Sequence, residues 1–359
     1  MWQNEFTQRL GIDYPIIQAP MAGGPTTSRL VAAVSNAGGL GMIGAGYLNP
    51  AQVRHQIKEV KQITAKPFGI NLFVPSIYQH DEQKIKSAKD LLHPIEQVLG
   101  IETHPKLPTY EQDLEIFHEQ IQVVLEENVP VCSFTFGLPS QDILERLKKN
   151  SIHTAGTATT VHETILCQKA GMDFVVLQGS EAGGHRGTFI NDPEQGLIGL
   201  MSLIPQAADH IHIPIIAAGG IMDARGIFAA KCLGAHAVQM GTAFLVCEES
   251  GASQIHKEAI IHAQEDQVVL TKAFSGKMAR GVNNGFIESM KEKENNLPPY
   301  PIQNELTKGI RKASLATRNP DYMSLWSGQS PRLAKTLTVQ QLMNQLIEDT
   351  ARLKTKLIF

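Results

Sequence analysis

Phe174-Val-Val-Leu-Gln-Gly-Ser-Glu-Ala-Gly-Gly-His-Arg-Gly187 is the stretch on which the reading of this chain turns. Phe174–Leu177 is an apolar run between Gly171 and Gly179, the pattern of a strand buried on both faces. It runs out into a loop carrying four glycines, a carboxylate, a histidine and an arginine. Glycine at that density lets the backbone adopt positive φ and approach a ligand closely. His185 is the one residue of the loop able to exchange a proton near neutral pH. A lone histidine in such a turn would be read as solvated surface; the rest of the chain decides otherwise.

The same unit, a short apolar strand followed by a helix, recurs on both sides of this stretch. Strands are predicted at 16–20, 40–45, 68–74, 130–136 and 152–157, then at Phe174–Leu177, 213–218 and 237–244. Helices are predicted over 27–36, 50–63, 141–149, 161–170, 201–209 and 223–232. A longer helical region spans 79–127, broken near Thr103–Pro108. Asn49-Pro50 is a helix start, with proline just inside the cap. Eight strand–helix units with short connections predict an α/β fold, a (β/α)8 TIM barrel. An open doubly wound sheet would carry a GxGxxG fingerprint at its first turn; neither Gly38-Gly39-Leu-Gly41 nor Gly44-Ala-Gly46 follows a strand and opens a helix in that way.

After residue 245 the alternation breaks. A smaller cap domain is expected to be inserted after the eighth strand, giving a barrel over 1–245, a cap over 246–325 and a C-terminal segment over 326–359. Within the cap, helix is expected at 256–262 and strand at 268–274, and Ser275–Gly281 reads as a glycine-bounded basic loop. Leu297-Pro-Pro-Tyr-Pro301 cannot be helical in its middle, since prolines remove donors and fix φ. Val339–Leu357 has the pattern of an amphipathic helix packing back on the barrel.

Composition narrows the function classes. The chain has 359 residues, 42% hydrophobic and 19% charged, with a net charge of -3. That balance gives no electrostatic reason to expect nucleic acid or an anionic membrane as partner. No apolar run approaches the roughly 18 residues of a membrane span. The N-terminus lacks the basic and apolar regions of a signal peptide, and the four cysteines form no metal-ligand spacing, so a cytoplasmic protein with reduced thiols is expected.

In a barrel the chemistry sits at the C-terminal ends of the strands. Collected, those ends are rich in amides and glycines and poor in carboxylates, with no HxH, no HExxH and no Gly-x-Ser-x-Gly elbow. This argues against a metal hydrolase, a glycosidase and an α/β-hydrolase, and no metal is expected. Amides and glycine N–H groups suit a planar, heteroatom-rich ring and a phosphate. Gly219-Gly220 and Gly241-Thr242 follow the seventh and eighth strands, the usual phosphate place of this fold. Such glycines also serve simply to close tight turns, but two adjacent pairs favour a phosphate. Flavin mononucleotide (FMN), whose ring needs Asn/Gln contacts, fits better than a nicotinamide.

Five motifs together resemble the nitronate monooxygenase family, formerly called 2-nitropropane dioxygenases. They are Ile17-Gln-Ala-Pro-Met21, Gly69-Ile-Asn-Leu-Phe73, Gln178–Gly187, Ala217-Ala-Gly-Gly-Ile221 and Gln239-Met-Gly-Thr-Ala-Phe244. The likeness extends through Ala273-Phe-Ser-Gly-Lys277, Tyr300-Pro-Ile-Gln-Asn304 and Trp326-Ser-Gly-Gln329, which resemble the class preferring propionate 3-nitronate. The resemblance implies an FMN enzyme on a capped TIM barrel that uses O2 and neither metal nor reduced nicotinamide. FMN contacts carry over to Asn71, Gln178, Gly183, Gly220, Gln239, Met240, Gly241 and Thr242, with Gln18 and Met21 lining the ring. The catalytic histidine corresponds to His185. The implied chemistry is one-electron oxidation of the nitronate, then reaction with O2 to give a carbonyl compound plus nitrite or nitrate.

A nitronate is already an anion, so the site has to tolerate negative charge rather than generate a carbanion. His185 suits either of two roles, hydrogen-bond donor to that charge or general base toward neutral nitroalkanes. Tyr300 is expected to line the substrate cavity, and Lys277, Arg280, Arg311 or Lys312 either to meet a substrate carboxylate or, equally, to be solvated surface charges. The competing expectation is a flavin-dependent enoyl-ACP reductase, similar in its barrel and Glu-Ala-Gly-Gly-His segment but consuming NAD(P)H. A flavin-binding protein without turnover is the alternative from outside the enzymes.

Overall fold

A computed structural model describes residues 2–190 and 192–357. Eight parallel strands alternate with helices: β1 (Ile16–Gln18), β2 (Gly41–Gly44), β3 (Phe68–Phe73), β4 (Val131–Thr135), β5 (His153–Ala158) and β6 (Phe174–Gln178), then β8 (Ile215–Ala218) and β9 (Ala237–Met240). A short strand, β7 (Gly184–His185), interrupts the series between β6 and β8. Parallel pairing runs β1-β9-β8-β6-β5-β4-β3-β2, and Ile17 pairs with Leu40 to join the two ends. The sheet is thereby a closed (β/α)8 TIM barrel, as predicted.

Strand alternation divides the core in two. Ile17, Met42, Val131, Ala155, Phe174, Val176, Ile216 and Ala237 point inward and form one cluster. The helix Glu5–Leu10 plugs this interior with Phe6, whose ring centroid lies 4.9 Å from that of Phe174. Ile16, Ile43, Ile70, Cys132, Phe134, Val175, Leu177, Ile215 and Val238 point outward and pack under the helices. Val339, Leu342, Met343 and Leu346 of the last helix join that outer layer. The predicted helix start at Asn49 is a full capping box with Gln52, and Pro50 opens the helix. Cys132, Cys167 and Cys247 are buried free thiols and Cys232 is exposed.

Two expectations are corrected. The eighth barrel strand stops at Met240, and Thr242–Leu245 is a turn of helix instead. All four of those residues are buried, and an unbroken apolar run carries no period to tell strand from helix. Ser275–Gly281 is not loop throughout: Ala279–Val282 forms β11, paired antiparallel with β10 (Val268–Thr271) on one side and with β7 on the other. Its partner His185 lies far away in sequence, so local composition could not announce the strand.

A further hydrophobic cluster packs Phe274, Phe286, Met290, Leu297, Ile302, Leu306 and Ile310 against Ile85, Ala88 and Leu92 of the helix Glu82–Leu99. Tyr78, Trp326 and Leu107 lean on its edge. No helix among the described residues is long and apolar enough to cross a membrane.

Candidate active site

The C-terminal ends of the barrel strands open into a cavity of about 190 Å³. Asn71, Gln178 and Gln239 line it, together with Met21, Gly183, His185, Gly220, Gly241 and Thr242. The alternation of the strands explains which amides reach it. Asn71, Gln178 and Gln239 share the inward register, whereas Gln18 and Met240 share the outward one with Ile16 and Val238. Neither Gln18 nor Met240 lines the cavity. Gln18 instead accepts a hydrogen bond from Met42 N at 3.1 Å and is fully buried, and Met240 packs in the outer core. Among the described residues no carboxylate, lysine or arginine lines this cavity.

The loop bearing His185 is fixed from three directions. Gln178 donates through Nε2 to His185 O at 3.0 Å and accepts at Oε1 from Gly187 N at 2.8 Å. Its amide is thus committed to the loop that returns over it. Arg186 is fully buried and donates to the carbonyls of Gln178, Gly179 and Gly196. Ala279 and Arg280 of β11 pair with His185 and Gly184. Sequence reasoning missed a fourth restraint, Glu163, which is buried and accepts from Thr159 N, Phe189 N and Ile190 N. A site held this way needs little reorganisation when a ligand arrives.

The His185 ring is enclosed by aromatic side chains. Trp326 lies 5.4 Å away between centroids, Tyr300 5.9 Å and Phe136 6.0 Å. Phe136 follows β4 with φ 74°, a left-handed conformation that a bulky residue adopts only when its surroundings impose it. His185 Nε2 meets Ser275 Oγ at 2.8 Å, and Ser275 Oγ donates to Lys277 O at 3.0 Å. Because the serine proton goes to a carbonyl, the imidazole holds its own proton on Nε2 and leaves Nδ1 bare. Burial, then the charges of Lys277 and Arg311, push the His185 pKa down to about 3. The ring is therefore neutral at pH 7 and sits in a positive field.

The strand-end glycines behave differently from one another. Gly219 and Gly220 have φ 134° and 65°, and a Cβ on Gly241 would meet only Ala19, at 3.7 Å. All three line the cavity, but a Cβ on Gly219 would lie 3.0 Å from Ala182 N and one on Gly220 3.1 Å from Glu181 Cβ, so only Gly241 is open in that direction. Gly183 is glycine for another reason: its Cβ would lie 2.5 Å from Gly328 N. Thr242 Oγ1 accepts from Gly328 N at 2.9 Å, which frees its own proton for the cavity.

Tyr300 is absent from this lining and faces a second cavity of about 400 Å³ that shares Tyr47, Phe73 and Phe136 with the first. The four candidate cations separate clearly. Lys277 lines the second cavity. Arg280 donates to Ser180 O and Val268 O, and Arg311 to Asn304 O and Oδ1. Lys312 is exposed. Among the described residues no cluster of His, Cys, Asp or Glu could hold a metal ion.

His256, on the far wall of the first cavity, donates to Trp326 O at 2.9 Å, and burial pushes its pKa down to about 4. Unfolded histidine titrates near 6.5. Below that pH the unfolded chain takes up a proton that the native ring refuses, so stability falls with pH and is flat above about 6.5. Between pH 6.5 and 4 this group contributes a slope of roughly 1.4 kcal/mol per pH unit. His256→Gln, which retains a donor, should show a correspondingly shallower dependence of urea midpoint on pH; parallel curves would contradict the neutral assignment.

Comparisons with known proteins place the chain as a whole. A model of the nitronate monooxygenase family matches residues 4–349. A probable nitronate monooxygenase from Staphylococcus haemolyticus is 52% identical over 358 residues, covering 99% of each chain. A nitroalkane oxidase from Streptomyces ansochromogenes superposes with TM-score 0.91 at 36% identity, over 99% of this chain and 100% of that one. FabK from Thermotoga maritima gives TM-score 0.79 at 30% identity, over 99% of both. The shared barrel, the family model matching nearly the whole chain and relatives matched along nearly their whole length make this chain a member of the nitronate monooxygenase family, and hence an oxidoreductase.

Proposed function

We propose that the protein oxidises alkyl nitronates with O2, using bound FMN, to a carbonyl compound and nitrite or nitrate, with propionate 3-nitronate as the preferred substrate. The observation that carries this reading is the neutral His185 imidazole in a positive field, at a cavity with no carboxylate in its lining. Such a site lacks a strong base and welcomes an anion, which suits a substrate that arrives already ionised. Burial is the larger cause of the depressed pKa, but an anion beside the ring offsets the Lys277 and Arg311 charges that add to it and so favours a proton on Nδ1, where the imidazolium would balance the charge.

The residues present fit a flavin mononucleotide. Positive-φ glycines at Gly219 and Gly220, the bare backbone at Gly241 and the free hydroxyl proton of Thr242 supply phosphate donors without a cation. Gln239 offers its amide toward a planar ring, while Asn71, whose Nδ2 donates to Ser133 Oγ at 2.9 Å and Thr135 Oγ1 at 3.1 Å, has its remaining acceptor capacity at Oδ1, with Met21 and Gly183 on the wall. When bound, the flavin supplies the electron acceptor. His185 holds or moves the proton, Gln178 and Arg186 keep its loop in place, and the Trp326, Tyr300 and Phe136 rings exclude water. We assign the barrel to residues 1–245, the cap to 246–325 and the returning C-terminal segment to 326–359, so that Tyr300 is the cap's contribution to the substrate cavity.

The visible spectrum of the purified protein tests this. Twin flavin bands, with FMN as the released chromophore, are expected, and anaerobic addition of a nitronate but not of NADH should bleach them. Rapid bleaching by NADH would instead favour the reductase reading. Tyr300→Ala should raise KM for a nitronate about tenfold and leave flavin content unchanged. An unaltered KM would mean that Tyr300 only packs the cap.

A further inference from the structure

We propose that Lys277 is the residue that recognises an anionic group at the far end of the substrate chain and so sets a preference for carboxylate-bearing nitronates over alkyl ones. This rests on the nitronate-oxidising reading above. Phe136 forms part of the wall common to the two cavities. Its ring lies 6.0 Å from the His185 ring and 4.6 Å from the Lys277 ammonium. A short acyclic nitronate whose reacting end is beside His185 therefore extends its tail past Phe136 toward Lys277.

The ammonium is poorly matched in the absence of such a ligand. It is half-buried and forms no ion pair among the described residues; its hydrogen-bond partner is Thr188 O at 3.4 Å. Burial pushes its pKa down to about 8, which leaves it mostly protonated at pH 7. A half-buried cation with one long carbonyl contact and a π face gains more from an incoming carboxylate than a solvated lysine does.

Among the other cations near the second cavity, Lys106 lines it but is exposed, so it is already solvated and has less to gain from a carboxylate than a half-buried ammonium does. Arg311 is held by Asn304, and Lys308 pairs with Glu305 at 3.0 Å while remaining exposed. The two carboxylates on the second cavity are also occupied: Glu305 by Lys308, and Asp113 by the Tyr78 hydroxyl at 2.8 Å. Both would repel a second carboxylate, which leaves the Lys277 end of the cavity as the favourable place for it.

The test compares KM for propionate 3-nitronate and for 1-propyl nitronate, equal in carbon count but differing in the terminal charge, using flavin-loaded wild type, Lys277→Met, Lys277→Arg and the exposed control Lys312→Met. Lys277→Met should raise KM for the acid at least tenfold more than KM for the alkyl nitronate, which loses only the Lys277 share of the positive field at His185. Lys277→Arg should recover part of the difference, and Lys312→Met should match wild type. Equal losses on both substrates, or none on either, would overturn the proposal. Succinate, a dicarboxylate of similar length, gives a readout independent of turnover through its perturbation of the flavin spectrum. If wild type oxidises neither nitronate, the functional reading fails. Succinate binding that is lost in Lys277→Met would then still support the anion site, and binding that is retained would refute it.

Discussion

Replacing His185 with asparagine is expected to lower kcat/KM on propionate 3-nitronate by about a hundredfold, with the fold and the flavin retained. The loss follows from removing one group that balances developing charge in a site closed by three aromatic rings, an effect of roughly 3 kcal/mol. The loop itself should survive, because its restraints come from Gln178, Arg186 and β11 and not from the imidazole. Asparagine can still donate to Ser275 but cannot take up a proton as Nδ1 can. Assaying the same variant on a nitroalkane and on its nitronate separates the two roles of the ring. If His185 acts only as a base, turnover of the neutral form disappears while that of the anion persists. Undiminished rates on both would remove the histidine from the chemistry altogether.

The second large effect is expected at the phosphate cradle. Gly220→Asp places a carboxylate where the backbone at φ 65° faces the cavity, and the protein should purify with less than about a tenth of the wild-type flavin. Gly220→Ala separates charge from shape. Its Cβ would sit 3.1 Å from Glu181 Cβ and 3.6 Å from Ser330 Oγ, tight but tolerable, and the left-handed backbone costs on the order of 1–2 kcal/mol. The alanine variant should therefore keep most of its flavin while unfolding at lower urea. Full occupancy in the aspartate variant would show that the phosphate lies elsewhere.

The barrel was legible because strands buried on both faces read as apolar runs, and the alternation with helices left one closed topology with eight units. The cavity-lining amides were legible in type, and their register decides which reach it: Asn71 and Gln239 do, Gln18 and Met240 turn outward. What Gln178 does was not legible. Both ends of its amide bind a loop that returns seven to nine residues later, and only the returned backbone reveals it. β11 was hidden for a similar reason, since Ala279–Val282 is a strand by virtue of partners at β7 and β10. Phe136 and Glu163 carried no motif, and Ser275 lay in one without a role: a left-handed phenylalanine, a carboxylate that latches a loop and a serine that fixes a tautomer declare themselves by geometry alone. Lys277 stood among four interchangeable cations until pairing and exposure set it apart.

The central claim is that a neutral histidine in a positive, carboxylate-free cavity serves oxidation of an anionic nitronate by O2. The most direct measurement follows O2 uptake and nitrite plus nitrate release together, with purified flavin-loaded protein, propionate 3-nitronate and no nicotinamide. Oxygen consumption that starts on nitronate addition, with nitrogen oxyanions accumulating alongside it, is the predicted result. A protein that retains its flavin yet consumes no oxygen and releases no nitrite or nitrate would contradict the account.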